Sequence, residues 1–305
     1  MRDISFGQYY PVNSFIHNLD ARVKILVTLL FMVSVFFIVS YTAFAFMFLL
    51  LTLTIAVSRV PFRIVAKTIE GILFLLIFTA LINIFFTSSG NVLVPIRMGG
   101  NVVLNITDQG INFAIKMAFR FTLLVLGSSL LTLTTTPTEL TDALEFLLKP
   151  LKLIRIPVHD LAIIMSIALR FIPGLVEETD KIMMAQKARG ASLDSGNLFK
   201  KIKAMLPVLI PLFVSAFRRA DELADALDAR CYNASSTRTK LKVFKIKPMD
   251  IFVFVGFAVV LTAILLDKYF VGKYVPSPDL GGFEVQGLDV LIYNFIRSVV
   301  EHGKV

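Results

Sequence analysis

Ile25–Ser40 reads I-L-V-T-L-L-F-M-V-S-V-F-F-I-V-S, and Tyr41–Ser58 continues Y-T-A-F-A-F-M-F-L-L-L-T-L-T-I-A-V-S without a charged residue. A helix needs about 20 mostly apolar residues to cross the hydrocarbon. Two such runs back to back predict a tight hairpin of membrane-spanning helices. Gly71–Thr87, Ile111–Thr136 and Ile251–Leu266 supply three further runs. The rest of the composition agrees. The chain has 305 residues, is 56% hydrophobic and only 17% charged, and carries 28 Phe. Soluble globular proteins hold nearer a quarter charged residues. The sequence therefore predicts an all-α integral membrane protein with about five transmembrane helices. The L-D-A-R-V-K preceding the first run is no signal-peptide pattern, so that run is expected to stay in the mature protein.

Lys and Arg near the spans set the expected orientation. Arg2, Arg22 and Lys24 precede the first span, and Arg59, Arg63 and Lys67 lie between the second and third. The loop 88–110 holds Arg97 as its one basic residue. The N-terminus is thus expected in the cytoplasm and loop 88–110 outside. Two β-like runs around Gly99-Gly100 predict a small hairpin in that loop. Lys116 and Arg120 fall early in the fourth span; charges within a membrane are candidates for function.

Residues 137–248 differ in kind. They hold 18 of the 31 basic residues and 12 acidic ones, yet include the apolar runs Leu161–Leu169 and Leu206–Phe217. Those runs are too short to span before a charge intervenes. The pattern predicts three long helices, apolar in their first halves and charged in their second. The resulting division is 1–136, four spans with the outer loop; 137–249, a cytoplasmic coupling module; 250–267, the fifth span; and 268–305, an unassigned tail. Pro207 and Pro211 are expected to bend the third helix along the membrane. The two apolar runs are expected to cross there, with Ser166 and Ala168 meeting Ser215 and Ala216, since small residues let helices approach closely.

Two of these helices end alike. K-A-R-G closes at Gly190, and D-A-R-C at Cys231. At an offset of 41, Asp180 pairs with Asp221, Ile182 with Leu223, Ala185 with Ala226, Ala188 with Ala229 and Arg189 with Arg230. Arginine suits a helix C-terminus, and Gly190 is the usual left-handed cap. A doubled motif with Ala beside each Arg suggests more: a pair of plugs, each offering a forked, permanently charged donor to a partner. Two equivalent tips point to a partner with two equivalent halves, such as an ATPase dimer.

Several classes are disfavoured. One cysteine and three scattered histidines give no metal-ligand spacing. No G-x-x-x-x-G-K-[ST] is present, so any ATP is expected on other subunits, and no cofactor is expected on this chain. In a membrane protein a net charge of +9 marks cytoplasmic loops rather than nucleic acid. A membrane-embedded lipid-modifying enzyme is the alternative suggested by Asp221, Asp225, Asp228 and Arg230. The spacing fails, because Ala229-Arg230 follows too early and no Gly follows Asp228. A permease of another ABC class would be expected to show one coupling segment and polar residues in its spans.

The chain resembles the transmembrane T component (EcfT type) of energy-coupling factor (ECF) transporters. The resemblance rests on L-D-A-R-V-K, L-T-L-T-T-T-P-T-E-L-T-D-A-L-E, M-S-I-A-L-R-F-I-P, E-E-T-D-K-I-M-M-A-Q-K-A-R-G and S-A-F-R-R-A-D-E-L-A-D-A-L-D-A-R-C-Y, and runs from about residue 8 to 267. It implies a non-catalytic scaffold in a bacterial cell membrane. The implied partners are two ABC-type ATPase subunits, a small membrane S component that binds a vitamin or micronutrient, and membrane lipid. Ala188, Arg189 and Gly190 then form one coupling motif, and Ala229, Arg230 and Cys231 the other. Cys231 departs from the pattern at the position of Gly190 and bears on the second cap.

Cysteine labelling from outside should reach positions in 88–110 and beyond Lys268 but none in 138–249. Protection of the tail would show that the number of spans differs from five.

Overall fold

The computed structural model describes residues 9–87, 92–98, 101–150, 158–191, 198–232, 247–267 and 269. The tail 270–305, Gly99-Gly100 and the stretch 233–246 lie outside the described residues. The elements run α1 (Ala21–Phe37), α2 (Tyr41–Ser58), α3 (Phe62–Phe86), β1 (Val92–Met98), β2 (Asn101–Thr107), α4 (Asp108–Thr134), α5 (Pro137–Leu147), α6 (Val158–Ala188), α7 (Leu198–Ala229) and α8 (Pro248–Leu266). Apart from one antiparallel hairpin, β1 with β2, the described elements are helical. The protein is an all-α integral membrane protein.

Four helices, α2, α3, α4 and α8, are long and apolar enough to cross a bilayer. Helix α1 has 17 residues, the lower limit of spanning length. The helices begin earlier than the apolar runs suggest, because polar residues cap them. Asp20 accepts the Arg22 amide at 2.9 Å and starts α1 ahead of Lys24. Thr107 accepts the Gly110 amide at 3.1 Å and starts α4 at Asp108. Helix α3 begins at Phe62 rather than Gly71. Arg63 and Lys67 therefore lie in its first turns, not in a connecting loop; such side chains can stretch their stems along apolar surface and keep the charge in water.

The chain divides into two compact units, one of Gly7–Thr136 with Phe244–Val305 and one containing Pro137–Val243. In the first, α4 packs against α1, α2 and α3, and α8 against α1. The core is Phe31, Val35, Phe44, Met47, Leu51, Leu123, Leu126 and their neighbours. Gly127 permits the tightest approach, since a Cβ there would stand 2.5 Å from the Phe31 ring. Helix α3 buries only Val65 and leaves Phe74, Phe78 and Phe86 open. An apolar helix with so little of itself buried is one solvated by lipid.

Polar side chains tie the two ends of this bundle. At the end with the basic residues, Lys24 is buried and its ammonium donates to the carbonyls of His17, at 3.0 Å, and Thr134, at 2.9 Å. Asp250, also buried, accepts the amides of Asp20, at 3.1 Å, and Lys247, at 2.8 Å. Charges out of water need such partners. At the hairpin end, Arg120 donates to the carbonyl of Ile38 at 3.0 Å, Lys116 lies 5.2 Å from the Tyr41 ring centroid, and Ser40 donates to Asp267 at 2.8 Å. Arg120 thus satisfies a carbonyl left unpaired where α1 stops, a structural use for a charge within the span.

In the second unit α5 packs on α6 and α6 on α7. Two of its helices are long, with 31 and 32 residues, but α5 has only 11. Three long helices were expected; the stretch 151–157, outside the described residues, separates α5 from α6. Both long helices run unbroken through their prolines, Pro173 in α6 and Pro207 and Pro211 in α7.

Replacing Lys24 with Met strands the buried Thr134 carbonyl and the part-buried His17 carbonyl and should cost on the order of 2 kcal/mol. Thermal unfolding in detergent should show a melting point lowered by several degrees, with Arg63→Gln as an unaffected control.

Candidate functional site

The 41-residue offset that relates the helix ends also relates the point where the helices meet. Glu178 of α6 accepts from both Ser215 and Arg219 of α7. Arg219 stands 41 residues after Glu178, and Ser215 the same distance after Gly174. Gly174 is the counterpart contact, since a Cβ there would lie 3.0 Å from the Arg219 guanidinium. Exchanging the helices by the offset converts the Gly174–Arg219 contact into the Glu178–Ser215 contact and leaves the Glu178–Arg219 pair unchanged. The crossing therefore has a local pseudo-two-fold relation.

The ion pair at the centre is partly sheltered, with side-chain exposures of 21% for Glu178 and 36% for Arg219. Ser215, buried, adds a second donor to the same carboxylate. A carboxylate with two donors is held in one orientation, unlike the lone pair Arg218–Glu222, which spans 3.9 Å on an open helix face.

The crossing differs from the one expected between Leu161–Leu169 and Leu206–Phe217. Ser166 and Ala168 are exposed, Ala216 is half-buried, and Ser215 donates a hydrogen bond across to the other helix. The small residue that gives clearance on α6 is Gly174. Neither Glu178 nor Arg219 stands out in the sequence by residue type. Their separation by the same 41 residues was the available signal.

Each arginine tip lies 11 residues beyond the crossing on its own helix, Arg189 from Glu178 and Arg230 from Arg219. At 1.5 Å per residue that is about 16 Å along each arm. The caps of the two tips are the same structure. On α6 the Gly190 amide donates to Lys187, at 3.0 Å, and the Ala191 amide to Gln186, at 3.0 Å. On α7 the Cys231 amide donates to Asp228, at 2.9 Å, and the Tyr232 amide to Leu227, at 2.9 Å. This is the Schellman pattern, with the residue after the cap in the left-handed region. Gly190 has φ +84° and Cys231 φ +51°. The cysteine accepts a conformation costing an L-residue roughly 1–2 kcal/mol, and the geometry is kept. Ala188, Arg189, Gly190, Ala229, Arg230 and Cys231 are all exposed. Neither Arg189 nor Arg230 has a side-chain partner among the described residues. The two tips present equivalent unspent guanidinium groups, backed by alanines too small to screen them.

No group of three or more His, Cys, Asp or Glu able to hold a metal occurs among the described residues. Asp221, Asp225 and Asp228 stand exposed along α7.

The matches to known proteins agree with this arrangement. A family model described as cobalt transport protein, CbiQ, matches residues 12–241. The energy-coupling factor transporter transmembrane protein EcfT of Ruminiclostridium cellulolyticum is 48% identical over 274 residues, 88% of this chain and 98% of its own length. The EcfT of Clostridium kluyveri is 45% identical over 90% of this chain and its whole length, and that of Bacillus subtilis 42% over 87% of this chain and 98% of its own. The chain belongs to the EcfT family. It is a membrane component of an energy-coupling factor transporter, a non-catalytic subunit that works within a complex.

Cys231→Gly should relieve the left-handed strain without altering the cap. Exchange of the Tyr232 amide, which reports local opening, should slow by about fivefold, the equivalent of about 1 kcal/mol.

Proposed function

We propose that this EcfT chain transmits ATP-driven motion to a separate substrate-binding subunit, with Arg189 and Arg230 as the two points of attachment. The observation that carries the reading is the pair of exposed arginine caps with the same hydrogen-bond pattern, equally far from one crossing and without a side-chain partner among the described residues. Two equal tips fit two equal sockets, so the partners are two ABC-type ATPase subunits, which bind and hydrolyse the ATP. Each guanidinium donates to carboxylates or carbonyls in a groove on one of them. In this orientation the N-terminus and the 137–249 module face the cytoplasm of a bacterial cell.

The Glu178–Arg219 crossing serves as the pivot. When the ATPase subunits close, the tips are drawn together while the crossing keeps its contacts, and the opposite halves of α6 and α7 move in turn. Those halves expose Ile164, Met165, Ile210, Phe213, Val214 and Phe217. Continuous apolar surface of this kind marks an interaction site. A small membrane S component that captures a vitamin or micronutrient docks there, with Ser166, Ala168 and Ala216 as positions small enough for close approach and Ser215 retained by the crossing. This chain supplies no substrate pocket and no cofactor of its own.

The double variant Arg189→Glu, Arg230→Glu should lose the ATPase subunits on purification in gentle detergent, each reversed charge weakening docking by at least about thirtyfold. Its own melting point should be unchanged. Ala168→Trp should instead release the S component and keep the ATPases. Normal uptake by the double variant would refute the docking role.

A further inference from the structure

Helices α1 and α2 follow one another with one residue, Val39, between their caps, yet they do not close along their length. A cavity of about 230 Å³ separates the start of α1 from the end of α2, at the bundle end that carries the basic residues. Val27 and Phe31 line one side, Leu50, Leu53 and Val57 the other, and Phe257 of α8 the back. Leu50, Leu53 and Val57 recur at helical spacing and form one stripe over the last two turns of α2. Leu53 is 65% exposed and Val57 43%, so the cleft opens sideways rather than being sealed inside the bundle.

Four polar residues reach the lining, and each is already engaged. Lys24 holds two carbonyls. Thr28 donates to the Lys24 carbonyl at 2.8 Å, Thr54 to Leu50 at 2.7 Å and Thr134 to Leu130 at 2.8 Å. Water in such a space would find almost no hydrogen-bond partner, so the cleft is dry. An open, dry cleft at this depth in a bilayer takes a hydrocarbon occupant. The end of the cleft selects which one. Arg59 caps α2 two residues beyond Val57, is exposed, and has no side-chain partner among the described residues. Arg63, in the first turn of α3, is exposed as well.

We propose that the cleft between α1 and α2 is a binding site for one anionic phospholipid, with an acyl chain along Leu50, Leu53 and Val57 and the phosphate headgroup at Arg59. That the lipid comes from the inner leaflet rests on the orientation given above; the site itself does not. The lipid wedges two spans that have few contacts of their own, and it fixes the position of α2 against α4.

The full-length protein, purified in mild detergent, is examined by native mass spectrometry for retained phosphatidylglycerol. The wild type should keep one molecule per chain. The variant Leu53→Trp, Val57→Trp fills the cleft from two exposed positions and should retain at least about tenfold less. Arg59→Gln should still bind lipid, with its preference for phosphatidylglycerol over phosphatidylethanolamine reduced about fivefold, the effect of one basic residue on an anionic headgroup. In vesicles of phosphatidylethanolamine with a minority of phosphatidylglycerol, a photoreactive group on the phosphatidylglycerol acyl chain should cross-link wild-type residues 50–57 and 23–31. This readout stands even if the filled variant fails to fold. Equal retention by a folded filled variant, no retained lipid in the wild type, or cross-links in the cleft from another protein helix or another segment of this chain would each overturn the proposal. None of these readouts depends on transport or ATPase docking.

Discussion

One carboxylate bridges the two long helices of this protein. Glu178 takes Ser215 and Arg219 from across the crossing, while Gly174 removes the side chain that would keep Arg219 away. Charge-assisted hydrogen bonds from two directions fix the crossing angle better than an apolar contact of equal area, because they lapse when the geometry slips. The crossing sits at the same distance from both arginine tips. Any force applied equally to the tips is therefore balanced about it, and the proposed coupling needs that balance.

The same economy appears at the helix ends. Both tips finish in a Schellman cap, although only one has the glycine that makes such a cap free of strain. Keeping the geometry at Cys231 against a steric cost argues that the position of Arg230 matters more than local stability. In the membrane unit Arg59 takes the same left-handed conformation at the end of α2, and the polar groups serve closure. Lys24, Asp250 and Arg120 each satisfy backbone groups that a bilayer would leave without a partner. A charge in an apolar run need not line a transport path. Arg120, early in α4, is occupied with the end of α1.

Much of this architecture was legible in the sequence. Uncharged runs gave the spans, because helices in lipid must be apolar on nearly every side. The β-like runs around Gly99-Gly100 gave the hairpin, and the repeated Ala-Arg gave the tips. The boundaries were less legible: Asp20, Thr107 and the Pro61–Arg63 turn start helices among polar residues that an apolar count discards. The crossing was misplaced for a related reason. Ser166 and Ala168 look like contact residues because they are small, but they lie on an exposed face. Glu178 and Arg219 look like solvent-facing charges, and the fold turns them toward each other.

Distance measurement tests whether the crossing acts as a pivot. Spin labels placed beside the tips, at Gln186 and Leu227, and beside the crossing, at Leu175 and Ala216, would be measured by pulsed electron resonance in the assembled transporter with and without ATP. ATP binding should shorten the distance between the tip labels and leave the distance across the crossing unchanged. A crossing that opens or slides while the tips keep their separation would contradict the pivot.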